Sequence, residues 1–192
     1  VLDLSCRVSP RSFMQSNAKM VEPLYSTFID GILRRTSDRS LEIIDLYCGT
    51  GILTCAISKK VASMNHELLG DDNIDRNDMN ASSFNVIGVD NNADAIADAT
   101  VNANQNNVDV TFICESAEAY LASVDCSQRL VVMDPPRQGC HPSVLAALCK
   151  YKPHRLALMS CYLDTLGRDL RRLMDGGYRV ESIQGVDMFP QT

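Results

Sequence analysis

The chain has 192 residues, 45% of them hydrophobic, enough for one well-buried domain, and no break in composition calls for a second. A net charge of −6 and a pI near 5.0 exclude a broad basic surface for gripping nucleic acid, so any RNA affinity is expected to be local or to come from other parts of the protein. No stretch approaches the ~20 apolar residues of a membrane-spanning helix, and Val1-Leu2-Asp3-Leu4 lacks the charged-then-apolar layout of a signal peptide.

Residues 1 to 16 read as extended, because Pro10 forbids a regular helix there, and the start at Val1 leads us to expect a piece of a longer chain. From Asn17 as N-cap to about Leu33, Met20, Val21, Leu24, Phe28, Ile29 and Ile32 keep helical spacing. Pro23 falls in the first turns and is expected to bend this helix rather than end it. Arg34, Arg35, Asp38 and Arg39 form a solvated connector to a strand ending Ile43-Ile44-Asp45-Leu46, which breaks into the turn Tyr47-Cys48-Gly49-Thr50-Gly51 and a helix over 51–63. Residues 64–83, rich in Asp and Asn and poor in large hydrophobes, read as a surface insertion.

A second strand, Phe84 to Asp90, precedes a helix over Ala93 to Asn104. Then come a strand at Val108 to Ile113, a short helix around Ala117 to Leu121 and a strand at Leu130 to Met133. The last third repeats the alternation: a helix near Ser143 to Cys149, a strand at Arg155 to Met159, a helix at Asp164 to Met174 stopped by Gly176-Gly177, and a strand from Tyr178 to about Val186. Regular alternation of this kind implies an α/β fold with a mainly parallel sheet covered by helices on both faces.

Three strand ends carry chemistry. A strand feeding Gly49-x-Gly51 into a helix lets the polar end of a ligand approach bare backbone near the positive helix N-terminus. Asp90, closing the second strand, is the residue type that accepts from ribose hydroxyls in such folds; it equally suits capping the helix that starts near Ala93, and it can do both. Asp134-Pro135-Pro136-Arg137 follows the fourth strand, where two prolines stiffen the exit and leave Asp134 facing the rim. Ser160-Cys161 follows the fifth strand and puts a thiol on that rim. Arg168 could favour a thiolate, contact phosphate, or pair with Asp164.

The eight cysteines include no Cys-x-x-Cys pair and mostly sit in apolar segments, which predicts a reducing, intracellular compartment and no structural metal.

Seven segments in register resemble the RNA uracil-5-methyltransferases, S-adenosylmethionine enzymes that make 5-methyluridine in tRNA or ribosomal RNA. They are Ser12-Phe13-Met14-Gln15-Ser16-Asn17, Asp45 to Gly51, Gly88-Val89-Asp90, Asp134 to Gly139, Ser160-Cys161, Thr165 to Leu170, and Val186 to Thr192. The resemblance covers nearly the whole chain except the insertion. It implies a Rossmann-like class I methyltransferase domain over 1–192, its last strand missing from this stretch, with 1–40 as an N-terminal extension and helix. It also implies S-adenosylmethionine as cofactor, an RNA substrate with the tRNA T-loop favoured over ribosomal RNA, and an N-terminal RNA-binding portion elsewhere in the protein.

By the same resemblance, Gln15, Tyr47, Ile52, Asp90 and Asp134 contact the methyl donor or order the site beside it, together with Gly49 and Gly51, and Cys161 is the nucleophile. A thiolate adding at carbon 6 of uracil makes carbon 5 nucleophilic enough to take a methyl group, and a carboxylate then removes the carbon 5 proton. The target uridine must first be splayed out of the RNA.

Three positions depart from the family pattern. Tyr162-Leu163 stands where Asn-Pro usually follows the nucleophile, Asp90 replaces the commoner Glu, and the family's Glu base, in a His-x-Glu sequence after Phe-Pro-x-Thr, falls past Thr192. This stretch is therefore expected to be incomplete for turnover. Two other functions remain open on sequence: a class I methyltransferase acting on another RNA position, and an RNA-binding or assembly protein without catalysis.

Overall fold

The structure, a computed structural model, describes residues 2–10, 12, 15, 17–34, 42–69 and 85–190. The connector beyond Arg34, the insertion beyond Leu69, and parts of the first and last family-like segments lie outside the described residues.

Among the described residues, five strands form one parallel sheet: β1 (Glu42–Leu46), β2 (Val86–Asp90), β3 (Thr111–Cys114), β4 (Arg129–Met133) and β5 (Arg155–Leu158), in the order β3-β2-β1-β4-β5. Among the same residues six helices alternate with them: α1 (Ala18–Leu33), α2 (Ile52–Leu69), α3 (Ala93–Gln105), α4 (Ala117–Ser123), α5 (Pro142–Tyr151) and α6 (Leu163–Asp175). The central strands are apolar almost throughout because both of their faces are covered. Ile43, Val86, Leu130 and Val132 join a core with α1 and α2, built on Val21, Tyr25, Ile29, Leu53 and Ile57. Their neighbours Ile44, Leu46, Ile87, Val131 and Met133 join the opposite core with Tyr120, Leu121, Val144, Leu148 and Leu173 of α4, α5 and α6. The period of two along each strand thus divides the apolar residues between two layers.

Pro23 lies inside α1 and the helix continues to Leu33. The proline has no N–H to offer the preceding turn, and burial of Val21, Tyr25, Ile29 and Ile32 against the sheet offsets that loss. Asn17 holds the N-cap position without a capping hydrogen bond, and its Nδ2 donates to the Met188 carbonyl at 2.8 Å. α2 runs six residues past the expected end. Asn92, not Asp90, caps α3, its side chain accepting from Asp94 N–H at 3.0 Å and Ala95 N–H at 3.3 Å.

The strand expected from Tyr178 to Val186 does not form. A β-strand exists only with a ladder partner, and no described residues pair with the outer edge of β5. Ile183 is 72% exposed, so its alternation with polar neighbours buries nothing. The segment is anchored at its start, where Tyr178 packs in the second core and its hydroxyl lies 3.1 Å from the Leu148 carbonyl.

Candidate functional site

The register of the sheet fixes which strand ends stand side by side. Leu46 is flanked by Val89 on β2 and Met133 on β4, so the next residues, Asp90, Tyr47 and Asp134, form adjacent exits on the carboxyl rim. Asp90 pairs in register with Cys114 at the end of β3. On the other side Met133 pairs with Leu158, and Met159 N–H donates to the Met133 carbonyl at 2.8 Å, which sets Ser160-Cys161 beyond Asp134. Gln15 reaches the described structure half-buried between Ser12, whose hydroxyl bonds Asp98, and Asn17.

The glycine turn is tightly specified. Tyr47 adopts a left-handed φ of 64°, unusual for a residue with a side chain, and Gly51 follows at +72°. A Cβ on Gly51 would stand 2.6 Å from Phe112 and 2.8 Å from Ala99, so only glycine fits where the turn enters α2. Over Gly49 the space is open, with nothing within 4 Å of where a Cβ would be. Asp90 is held from both sides: Gly49 N–H donates to Oδ2 at 2.9 Å and Asn92 N–H to Oδ1 at 2.8 Å. Each oxygen keeps acceptor capacity for a ligand hydroxyl. Ile52 is 8% exposed, its side chain in the core, so it can meet a ligand only through backbone at the helix start.

Beneath the turn lies a group that the sequence did not single out. Asp45 is 1% exposed; Thr54 Oγ1 donates to its Oδ2 at 2.6 Å, and Oδ1 has no partner among the described residues. Burial pushes its carboxyl up to about 7 against the Thr54 hydrogen bond, with the Asp134 and Asp90 charges adding to the rise. Asp134 is itself pushed up to about 6 by burial. Tyr25 of α1 lies close enough to both carboxylates for their charges to raise its phenol, whose burial is the larger cause. The signal available in the sequence was the i, i+9 placement of Asp45 and Thr54 across a strand–turn–helix. A carboxylate inside an otherwise apolar run needs such a partner.

The other half of the rim is built around a buried carboxylate as well. Asp169, 1% exposed, accepts Cys140 N–H on Oδ2 at 2.7 Å and Arg168 Nε on Oδ1 at 2.8 Å. Arg168 Nη2 donates onward to the Gln138 carbonyl at 2.8 Å, so its partners are Asp169 and this loop rather than Asp164. Thr165 Oγ1 donates to the Arg137 carbonyl at 3.1 Å and lies equally far from the Tyr162 carbonyl. These contacts tie the loop after Asp134 to the start of α6, and Gly139, at φ +78°, leaves room for them. Cys161 stands exposed in the intervening β5–α6 loop, followed by Tyr162 and Leu163, also exposed.

A cleft of about 220 Å³ opens between Tyr47, Gln138, Cys140, His141 and Arg168. Neither Gly49, Asp90 nor Asp134 lines it, so it adjoins the surface above the glycine turn without being that surface.

Open backbone at Gly49, a fixed acceptor at Asp90, the Asp134 carboxyl on the rim and the Asp45 carboxyl buried beneath the turn suit a ligand with ribose hydroxyls and a positive charge. The free thiol of Cys161 lies exposed beyond Asp134. Among the described residues no group of His, Cys, Asp and Glu has the arrangement of a metal site.

Comparison with known proteins adds four results. The family model for tRNA (Uracil-5-)-methyltransferase matches residues 3–192. The chain is 33% identical over 188 residues to an uncharacterised RNA methyltransferase of Thermosynechococcus vestitus, covering 97% of this chain and 36% of that protein. It is 32% identical over 201 residues to the tRNA (uracil(54)-C(5))-methyltransferase of Schizosaccharomyces pombe, covering 99% and 34%. Among solved structures, the Pyrococcus abyssi tRNA (uracil-54, C5)-methyltransferase in complex with S-adenosyl-L-homocysteine superposes with a TM-score of 0.72 at 28% identity, over 100% of this chain and 41% of that one. The chain spans about a third of the length of the curated relatives it matches.

Proposed function

Since the chain belongs to the tRNA (uracil-5-)-methyltransferase family, we propose that its protein transfers a methyl group from S-adenosylmethionine to carbon 5 of a uridine in tRNA, with Cys161 as covalent nucleophile. The observation that carries this is the sheet register, which lines up Asp90, Tyr47, Asp134 and the Cys161 loop along one rim.

The residues present fit the donor. Asp90 takes the ribose hydroxyls, the Gly49 to Ile52 backbone meets the amino-acid portion, and Asp134 lies toward the charged centre. Tyr47 opens the turn beside this surface, and Gln15 is assigned to the donor by the family resemblance. When bound, the donor supplies a methyl group made electrophilic by its positive sulfur.

Uracil carbon 5 is a poor nucleophile, and Cys161 remedies that. The thiolate sulfur bonds to carbon 6, and the carbon 5–carbon 6 π pair moves toward the carbonyl oxygen at carbon 4. Carbon 5 thereby becomes enolate-like. After methylation the carbon 5 proton must go to a base. The electron pair left behind re-forms the double bond and expels the thiolate. The exposure of Cys161 lets a uridine turned out of the RNA reach it. Gripping the RNA falls to surfaces beyond this acidic stretch.

The test is to incubate the full-length protein with methyl-labelled donor and a uridine-containing tRNA transcript, then analyse the digested nucleosides. Label in 5-methyluridine is expected. Label in another nucleoside would assign a different position, and none at all would make the protein a binder without catalysis.

A further inference from the structure

The N-terminal segment from Ser5 to Ser9 lies along α3, and helix side chains, not another strand, take its backbone hydrogen bonds. Ser5 N–H donates to Asn106 Oδ1 at 2.8 Å, and its carbonyl accepts from Asn106 Nδ2 at 2.7 Å. Arg7 repeats the pattern with Asn102, its N–H donating to Oδ1 at 2.6 Å and its carbonyl accepting from Nδ2 at 3.0 Å. Ser9 N–H donates to Asp98 Oδ2 at 2.7 Å. Steps of two along an extended chain advance about 6.7 Å, and steps of four along a helix about 6.0 Å, so the two rows match over this span.

One rung differs from the others. Asn102 Nδ2 carries two hydrogens; besides the Arg7 carbonyl it donates to the Thr50 carbonyl at 2.9 Å, inside the glycine turn. With Oδ1 accepting from Arg7, the amide is satisfied at both ends, and Asn102 is 1% exposed. Thr50 is itself buried. Holding its carbonyl fixes the Thr50–Gly51 peptide plane, whose N–H donates to the Cys48 carbonyl at 2.9 Å. Asn106 holds the segment as firmly, but its remaining contact is with the Asn102 carbonyl and not with the turn.

We propose that Asn102 is a positioning residue for the methyl donor: it clamps the glycine turn to the N-terminal segment so that the backbone under the donor is set before binding. This rests on the reading that the donor lies on the turn. Asn102 acts through Thr50 and Gly51 and touches no ligand itself. Without it, a buried carbonyl loses its donor and the turn must be ordered at the expense of binding.

The experiment compares Asn102→Ala and Asn106→Ala in the full-length protein, with S-adenosylhomocysteine titrated calorimetrically below the lowest melting temperature of the set. Each substitution removes two hydrogen bonds to the N-terminal segment, and only the first frees the turn. Asn102→Ala should weaken binding tenfold or more and raise KM for the donor without raising KM for RNA, while Asn106→Ala stays within twofold of wild type. Should Asn102→Ala fail to fold, Asn102→Asp decides. It is nearly isosteric and can still accept from Arg7 N–H but cannot donate to Thr50 when ionised, so the same tenfold loss is expected. Equal losses in the Asn102 and Asn106 variants, or no loss in either, would overturn the proposal. A wild-type protein that does not bind S-adenosylhomocysteine would overturn the donor-site reading beneath it.

Discussion

The two halves of the rim are held in different ways. Around the glycine turn separate side chains act on separate points: Asp90 on Gly49 and Asn102 on Thr50 from 41 and 52 residues away, and Thr54 on Asp45 below from nine. Around Cys161 the polar framework is a single hub, Asp169 with Arg168, joined by Thr165 to the loop after Asp134, and beyond it the chain is exposed. The backbone of the turn is thereby restrained at several points at once. The thiol side is tied to the loop after Asp134 through Asp169, Arg168 and Thr165, while Cys161 itself stays exposed.

The sharpest way to break this division is to remove the thiol. In the full-length protein Cys161→Ala should lower methyl transfer by about four orders of magnitude or more, with S-adenosylhomocysteine affinity within twofold of wild type in calorimetry. A parallel loss of affinity would mean that the halves are one unit.

Removing the hub comes next in size. Asp169→Ala strips the acceptor from Cys140 N–H and Arg168 and should cost about 2–3 kcal/mol in denaturant unfolding, while slowing turnover with little change in donor affinity. The mirror experiment is Asp90→Ala, which should weaken donor binding by about 1.5–3 kcal/mol through lost charge-assisted hydrogen bonds. If Asp90→Ala binds the donor as wild type does, Asp90 is only the support of the turn.

A smaller effect separates the halves by pH. Burial raises Asp134 to about 6 and Asp45 to about 7, so both gain charge as pH rises from 5 to 8. Affinity for the positively charged donor should therefore rise several-fold over that range, more than for S-adenosylhomocysteine, whose sulfur is neutral. Stability runs the other way. A carboxyl with its folded pKa above the unfolded value near 4 holds more protons when folded, so its contribution falls as pH rises from about 4 to about 7. Asp134→Asn should flatten both trends, as titration and melting at several pH values would report.

Much of this was legible in the sequence, for identifiable reasons. Strands buried on both faces write themselves as runs such as Ile43-Ile44 and Leu130 to Met133, and strand ends in a parallel sheet share a rim, so Asp90, Asp134 and Cys161 could be placed together from sequence order. The Tyr178 to Val186 strand failed because alternation describes a strand only where a neighbour supplies the ladder. α3 hid its role for the opposite reason. Asp98, Asn102 and Asn106 at i, i+4 and i+8 look like a solvated face, and they are a docking row only because another segment lies on them. Asp169 lies in the family-like segment Thr165 to Leu170, and nothing in that local sequence marks it as buried. Its burial depends on the loop from Gln138 to Cys140, 29 residues from it at Cys140, a distance that local pattern does not register.

The covalent role of Cys161 is the central claim, and RNA carrying 5-fluorouridine at the target position tests it most directly. Fluorine at carbon 5 cannot leave as a proton does, so once the thiol has added and the methyl group has been transferred, elimination is blocked and protein and RNA stay joined. Wild-type full-length protein with donor should give a complex that survives denaturing electrophoresis, and Cys161→Ala should give none. A complex that persists in Cys161→Ala, or steady formation of 5-methyluridine by that variant on normal RNA, would contradict the account.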